Sequence, residues 1–256
     1  MTGGAAASAD RRIVGTGTSE QEWRRWPGWR TGTPTGLDAL VPAGSRLVVV
    51  APHPDDETLG CGGLLHDAHA AGREVLVVAV TAGDASHPGS TRWPAAELVR
   101  QRKAERQSAL QCLGIGQRPV VELGLPDGQV SAHRQALSDG LAAALRDGDV
   151  LVVPWRYDGH PDHEATAAGA LALRRPGPAI WQVPIWGWHW TGPDDGLLPS
   201  DPLLFSPSTA GLRAKRQAVA QFSSQLEEDS STGAPPVLPG WALARWLRRT
   251  EVYLGG

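Results

Sequence analysis

The hydrophobic positions along this chain form short, continuous apolar runs that alternate with longer segments of mixed polarity. Residues 47–50 are apolar at every position, and similar runs occupy residues 75–80 and 150–153. A strand that is apolar on both faces is typical of a strand buried inside a parallel sheet. The segments between these runs are long enough for crossover helices, so the pattern predicts alternating strands and helices.

The predicted elements follow one another in regular order from residue 46. We expect strands at residues 46–51, 74–80, 119–123, 149–153, 179–185 and 203–205. We expect helices at residues 58–71, 94–113, 131–146, 162–173, 211–225 and 241–249. This alternation predicts a Rossmann-like α/β fold, in which a mainly parallel sheet lies between two layers of helices as a three-layer sandwich.

The segment before the first predicted strand has a different character. Residues 1–12 are small and polar, which is typical of a disordered tail. Three tryptophans spaced three apart within residues 18–29 predict a short amphipathic helix that is stopped at Pro27. We therefore predict a tail with a short Trp-rich helical arm in residues 1–44, and one α/β domain in residues 45–256.

Two clusters of histidine and aspartate follow two of the predicted strands. The first is His53–Glu57, with the sequence His-Pro-Asp-Asp-Glu, and the second is His160–His163, with the sequence His-Pro-Asp-His. Open α/β sheets place their sites at the carboxyl ends of the strands, so the two clusters can converge on one crevice. The side chains that would meet there are His53, Asp55, Asp56, His160, Asp162 and His163. Imidazoles and a carboxylate with an open coordination position suit Zn²⁺ or Fe²⁺.

In this order and after strands, the two clusters resemble the signature motifs of the LmbE-like, or PIG-L, zinc-dependent N-deacetylases. Further matching segments are Arg102–Glu105, Leu123–Gly128, Lys215 and Ser224-Gln225, so the resemblance covers residues 45–225. It implies that residues 45–256 form a Zn²⁺-dependent deacetylase domain. The substrate class implied is an amino-sugar conjugate such as an N-acetylglucosamine derivative, from which an N-acetyl or other acyl group is removed.

The resemblance also implies roles for individual residues. The metal ligands that it implies are His53, Asp56 and His163. Asp55 would be the general base and later the general acid. His160 would stabilise the developing oxyanion, and Asp162 would orient His160 as its partner. Asp162 could also cap the helix that follows it.

Two further positions match the family less directly, and a third departs from its pattern. Arg102 and Asp127 match positions that contact the sugar, which implies substrate binding. Alternatively, Arg102 forms a surface ion pair with Glu105, and Asp127 is an ordinary turn residue. Asp158 stands where some family members have a tyrosine, two residues before His160.

The aromatic residues are concentrated in tryptophan, with 11 Trp against two Phe and two Tyr. Trp186, Trp188 and Trp190 follow the strand predicted at residues 179–185, and we expect at least one of them to line the pocket. The Gly-, Ser- and Pro-rich loop at residues 81–91 is long enough to act as a lid.

Bulk composition excludes several classes of function. The net charge of −3 leaves no basic excess for binding nucleic acid. Two cysteines do not make a disulfide framework, and no segment approaches the roughly 18 apolar residues of a membrane span. Because the N-terminus also lacks the apolar core of a signal peptide, we expect a cytoplasmic protein whose partner is a small molecule.

Other functions remain open at this point. The first is an amidase that acts on a larger thiol or amino-sugar conjugate at the same metal site. The second is a non-catalytic sugar-binding module, which would need no base beside a metal. A nucleotide-binding domain is disfavoured, because Gly60, Gly62 and Gly63 follow the acids instead of opening the turn.

Overall fold

The computed structural model describes residue 13, residues 15–173 and residues 179–255, so the tail predicted for residues 1–12 lies outside the described residues. The strands are β1 (Thr33–Thr35), β2 (Arg46–Ala51), β3 (Glu74–Thr81), β4 (Val120–Leu125), β5 (Val150–Pro154), β6 (Ala179–Val183), β7 (Leu203–Phe205) and β8 (Glu251–Gly255). The first helices are α1 (Glu20–Trp23), α2 (Gly28–Thr31), α3 (Leu37–Leu40), α4 (Asp56–Ala70), α5 (Ala95–Cys112) and α6 (Arg134–Ala144). The later helices are α7 (Pro161–Ala172), α8 (Gly187–Trp190), α9 (Thr209–Val219), α10 (Ser223–Leu226) and α11 (Gly240–Leu243), and a 3-10 turn spans Val130–Ala132.

The eight strands form one sheet with the order β1-β7-β8-β6-β5-β2-β3-β4. The strand pairs are parallel except those of β8, which runs antiparallel to both β6 and β7. From β2 the chain runs outward to β3 and β4, and then returns to β5 on the other side of β2. Such a reversal opens a crevice at the carboxyl ends of the two central strands. The predicted mainly parallel α/β fold is confirmed.

The core consists of one hydrophobic layer on each face of the sheet. Leu47 and Val49 of β2 belong to one cluster, whereas Val48 and Val50 belong to the other. Successive side chains of a strand point to opposite faces, so a strand covered on both sides must be apolar throughout. This arrangement explains the uninterrupted apolar run in residues 47–50.

Helix α4 is kinked at Cys61, where φ is −146° and ψ is 27°. The kink leaves backbone N–H groups of Gly63 and Leu64 to donate to the carboxylate of Glu251 at 2.8 and 3.0 Å. Lys215 donates to the same carboxylate at 2.7 Å. A Cβ atom on Gly63 would lie 2.4 Å from Pro207, so this glycine permits close packing of the helix.

Several elements differ from the sequence-based expectation. The hydrophobic pattern does not predict strands β1 and β8, and the helix that it predicts at residues 211–225 is divided into α9 and α10. The Trp-rich arm consists of two short helices, and Trp23 at the end of the first helix and Trp26 between the two helices are buried in the larger core. The boundary at residue 44 stays a prediction, although β1 joins the sheet beside β7. No helix within the described ranges is long and apolar enough to cross a membrane.

Candidate metal and catalytic site

The two histidine clusters meet in the crevice at the carboxyl ends of β2 and β5. His53 follows β2 by two residues, and His160 is the N-cap of α7. The His53 ring centroid lies 4.7 Å from that of His160 and 5.2 Å from that of His163. The structure therefore brings together side chains that lie 110 residues apart in the chain.

Three donor atoms form a compact triangle in this crevice. His53 Nδ1 lies 3.1 Å from His163 Nε2, and Asp56 Oδ2 lies 3.3 and 3.2 Å from these two atoms. Ligands at about 2.0–2.2 Å in tetrahedral coordination lie roughly 3.3–3.6 Å from one another. The spacing and chemistry of this donor set therefore fit a divalent metal ion. His160 also offers a ring nitrogen near those of His53 and His163, which makes it an alternative donor.

Each candidate imidazole ligand contacts a carboxylate through the ring nitrogen that faces away from the triangle. His53 Nε2 lies 3.1 Å from Asp127 Oδ1 and 3.3 Å from Asp162 Oδ2. His163 Nδ1 lies 2.8 Å from Asp158 Oδ2. These partners leave His53 Nδ1 and His163 Nε2 to face the centre of the triangle, which is the arrangement that orients metal-binding histidines.

The acidic surroundings favour positive charge at the centre of the triangle. Burial lowers the pKa of His53, but hydrogen bonds to Asp127 and Asp162 outweigh burial and raise that pKa well above its usual value. Burial likewise lowers the pKa of His163, while Asp56 and Asp158 raise it to about 9. A divalent cation would satisfy the same electrostatic preference.

Asp162 does not have the expected role. Its carboxylate accepts hydrogen bonds from the backbone N–H groups of Gly128 and Val130 at 2.7 and 3.1 Å, and it faces His53. The prediction that this carboxylate orients His160 is therefore wrong. The reason is the start of α7, where the Asp162 backbone N–H donates to His160 Nδ1 at 3.2 Å. The N-cap of α7 is His160, and the described hydrogen-bond partners of the Asp162 carboxylate are Gly128, Val130 and His53.

Asp55 lies in a strained and buried position beside the triangle. Its φ of 143° falls in a region that favours glycine, and such strain is often retained at functional sites. Burial raises the pKa of Asp55 to about 7, although Arg102 opposes this shift. A carboxyl group with a pKa near neutrality can both accept and donate a proton at physiological pH.

Arg102 holds Asp55 in this conformation. Its guanidinium donates to Asp55 Oδ2 at 3.0 Å, to the Pro54 carbonyl at 2.8 Å and to the Gly83 carbonyl at 3.0 Å. Arg102 is only 3% exposed, so the alternative of a surface ion pair with Glu105 is wrong. A sugar contact by Arg102 stays a prediction.

His160 offers a neutral hydrogen-bond donor. Burial lowers its pKa to about 3, with further lowering by His163 and His53. Because Nδ1 accepts the backbone N–H of Asp162, the proton of the neutral ring is assigned to Nε2. His160 also lines the cavity described next.

The site opens into a cavity of about 630 Å³. The loop expected to act as a lid contributes Ala85 and Ser86, and the Ala85 N–H donates to Asp127 Oδ2 at 2.8 Å. Trp186 lines the cavity, in line with the expectation that one of the three late tryptophans would do so. Trp188 instead is buried in the Trp-rich core.

Sequence reasoning missed two groups of residues around this cavity. The sequence alone marks Asp158 only as a departure from the family pattern, yet its carboxylate contacts His163. The segment 235–239 and Trp241 also line the cavity. Their sequence carries no functional signal, because they reach the cavity only through tertiary packing.

Comparisons with known proteins show which family and fold the chain resembles. A family model described as PIG-L, GlcNAc-PI de-N-acetylase, matches residues 48–173. The chain is 29% identical over 241 residues to the 1D-myo-inositol 2-acetamido-2-deoxy-alpha-D-glucopyranoside deacetylase of Rhodococcus jostii, with coverage of 71% of this chain and 82% of that protein. It resembles a conserved protein of Thermus thermophilus with a TM-score of 0.58 and 25% identity, over 82% of this chain and 93% of the other. The N,N'-diacetylchitobiose deacetylase of Pyrococcus horikoshii shares the fold, with a TM-score of 0.57, 19% identity and 86% coverage of each chain.

Proposed function

Because the chain belongs to the PIG-L (LmbE-like) family, we propose that it is a metal-dependent N-deacetylase of an amino-sugar conjugate such as an N-acetylglucosamine derivative. The observation that carries the proposal is the triangle of His53, Asp56 and His163 beside the buried, strained carboxyl group of Asp55. The deacetylase activity named for the Rhodococcus relative supports the same reaction class.

The triangle would hold the metal ion, with Zn²⁺ as the proposed ion and Fe²⁺ as the alternative that the same donors accept. Such an ion supplies Lewis-acid polarisation of the amide carbonyl and activation of water. Asp127 and Asp162 would keep the ring of His53 in position, and Asp158 would do the same for His163.

Asp55 would carry out the proton transfers of the reaction. Its carboxylate would accept a proton from the attacking water and then deliver it to the departing amine nitrogen. Arg102 has its hydrogen bonds directed to Asp55 and to two backbone carbonyls, so we assign it to positioning Asp55. Asp127 lines the cavity and remains the proposed sugar contact.

His160 would stabilise the oxyanion that develops on the amide carbonyl. Its Nε2–H is a donor, and a preorganised donor beside a developing negative charge is a strong catalytic device. Because its pKa is lowered to about 3, the ring would act as a neutral donor across the working pH range.

Two alternatives differ in what the cavity would bind. An amidase of a larger thiol or amino-sugar conjugate would use the same groups, and the cavity of about 630 Å³ leaves room for one. A non-catalytic sugar-binding module is disfavoured, because binding alone gives no reason to hold an aspartate at a φ of 143° beside a metal site.

The test is amine release from a panel of N-acetylglucosamine conjugates, with metal content measured on the same samples. We expect about one divalent ion per chain and turnover of at least one conjugate. Asp55→Asn keeps the size of the side chain but cannot accept a proton, so it should retain metal and lose about 10²–10⁴-fold in kcat. Wild-type kcat in this variant at full metal occupancy would refute the assigned base. Absence of amine release by the metal-loaded wild type would refute the proposed reaction.

A further inference from the structure

The side chains that line the cavity fall into two chemically distinct groups. The first group comprises the charged and polar side chains of the proposed catalytic site. The second group forms an apolar wall that consists of Ile185, Trp186, Pro235, Pro236, Val237 and Trp241. A substrate that fills this cavity must therefore join a polar N-acyl amino sugar to a part with apolar surface.

Trp241 stands out on the apolar wall because it is 48% exposed, which is unusual for so large an apolar side chain. The guanidinium carbon of Arg245 lies 5.1 Å from the centroid of the Trp241 ring. Arg245 is itself only 2% exposed, and its Nη1 lies 3.0 Å from His189 Nδ1. The buried guanidinium of Arg245 thus packs against the Trp241 indole. The exposed part of the ring contributes to the cavity surface.

The backbone around Trp241 also favours a fixed position for the ring. Helix α11 begins directly after Pro239, whose φ is −65°, and the Leu238 N–H donates to the Gln225 carbonyl at 2.8 Å. Pro235 and Pro236 precede this anchor and supply rigid apolar surface. A half-exposed aromatic ring held in this way loses little conformational entropy on binding a ligand.

The charges near this wall limit what it can bind. Arg102 is the arginine among the cavity-lining residues that the structure describes, and it is already paired with Asp55. Arg245 lies behind the indole and is directed towards His189. Neither guanidinium is therefore directed at the apolar wall, so a phosphorylated or otherwise anionic group there would lose its hydration without a guanidinium to pair with.

We propose that Trp241 and the proline-rich segment 235–239 bind the aglycone, the group linked to the anomeric carbon of the amino sugar, and that this aglycone is a neutral ring with an apolar face. The inference rests on the proposed function and adds the substrate class to it. A flat apolar ring face packs against an indole, and the prolines beside it close the edge of the subsite.

The first test compares N-acetylglucosamine, its phenyl α- and β-glycosides, and N-acetylglucosamine 1-phosphate as substrates. The wild type should prefer at least one phenyl glycoside, with a KM on the order of tenfold below that of the free sugar, and should use the phosphate ester least well. Trp241→Ala should abolish this preference, and Trp241→Phe should retain part of it. Tyr157→Ala is the matched control, because Tyr157 is 52% exposed and is not among the cavity-lining residues.

Preference for the phosphate ester, or an unchanged phenyl preference in Trp241→Ala, would overturn the proposal. A calorimetric titration with glucosamine and with phenyl glucosaminides, the corresponding amine products, separates this inference from the proposed function. Tighter binding of a phenyl glucosaminide to the wild type that is lost in Trp241→Ala supports the subsite even if no amine is released from any substrate. Equal affinities for both ligands in the wild type would overturn the subsite even if deacetylation is observed.

Discussion

Asp158 accepts a hydrogen bond from Nδ1 of His163 at 2.8 Å, and neither side chain is exposed to solvent. The same carboxylate accepts the backbone N–H groups of Ile185, Trp186 and Gly187 at 2.8–2.9 Å. One buried carboxylate therefore joins a proposed metal ligand to the backbone that carries Trp186 into the cavity. This relationship links metal affinity to the geometry of the cavity wall.

Asp158→Asn tests this link. The side-chain amide oxygen can still accept backbone N–H groups, but the amide NH₂ cannot accept the Nδ1–H of His163. We expect metal affinity to fall about 10–100-fold, as measured by competition with a chelator. Asp195→Asn is the matched control, because Asp195 is exposed and also accepts two backbone N–H groups. Wild-type metal affinity in Asp158→Asn would contradict the role of Asp158.

Removal of the proposed ligands should abolish metal binding. His53→Ala, Asp56→Ala and His163→Ala each remove one of three protein donors, so no redundancy remains. We expect elemental analysis to find strongly reduced metal in each variant. His133→Ala serves as a control, because His133 lies outside the cavity lining at the start of α6. Wild-type metal content in all three ligand variants would refute the ligand assignment.

Arg102→Gln should shift the pH dependence of catalysis. The positive charge of Arg102 lowers the pKa of Asp55 against the effect of burial, so its removal should raise that pKa above about 7. The base must be ionised to act, and the acidic limb of the kcat/KM profile should therefore move to higher pH.

Arg106→Gln is the control for this shift. Arg106 lies one turn further along α5, is also buried, and pairs with Glu122 at 2.8 Å. Its removal should leave the midpoint of the acidic limb in place. An unchanged midpoint in Arg102→Gln would show that the limb reports another group.

Trp188→Ala should act on stability and not on substrate choice. Trp188 is buried among the rings of Trp23, Trp26 and Trp29, with the Arg248 guanidinium carbon 4.2 Å from its centroid. We expect a loss of about 3–5 kcal/mol in the free energy of unfolding, measured by denaturant titration. The relative KM values for free and conjugated sugars should stay unchanged, in contrast to Trp241→Ala. A selective increase in the KM of conjugated substrates would place Trp188 in the subsite.

The alternation of strands and helices and the general location of the site follow from local patterns in the chain. Residues 47–50 are apolar at each position because both faces of β2 are covered, and a pattern of this kind can be recognised without coordinates. The two histidine clusters follow strands, so their convergence at one sheet edge could be expected from the general architecture of parallel sheets. The family resemblance, which the comparisons confirm, rests on the same two clusters.

The partners of individual side chains could not be predicted in this way. In the first turn of α7, the backbone N–H of Asp162 points to His160 and its carboxylate points to His53. The carboxylate therefore contacts His53 instead of His160. Arg102 reaches Asp55 because α5 packs beside the crevice, and Trp241 reaches the cavity because segment 235–239 is anchored on α10. Each contact joins segments far apart in the chain, and its geometry depends on the packing of whole elements. Periodicity and motif spacing describe one segment at a time, so they indicate which groups are available but not which group each one meets.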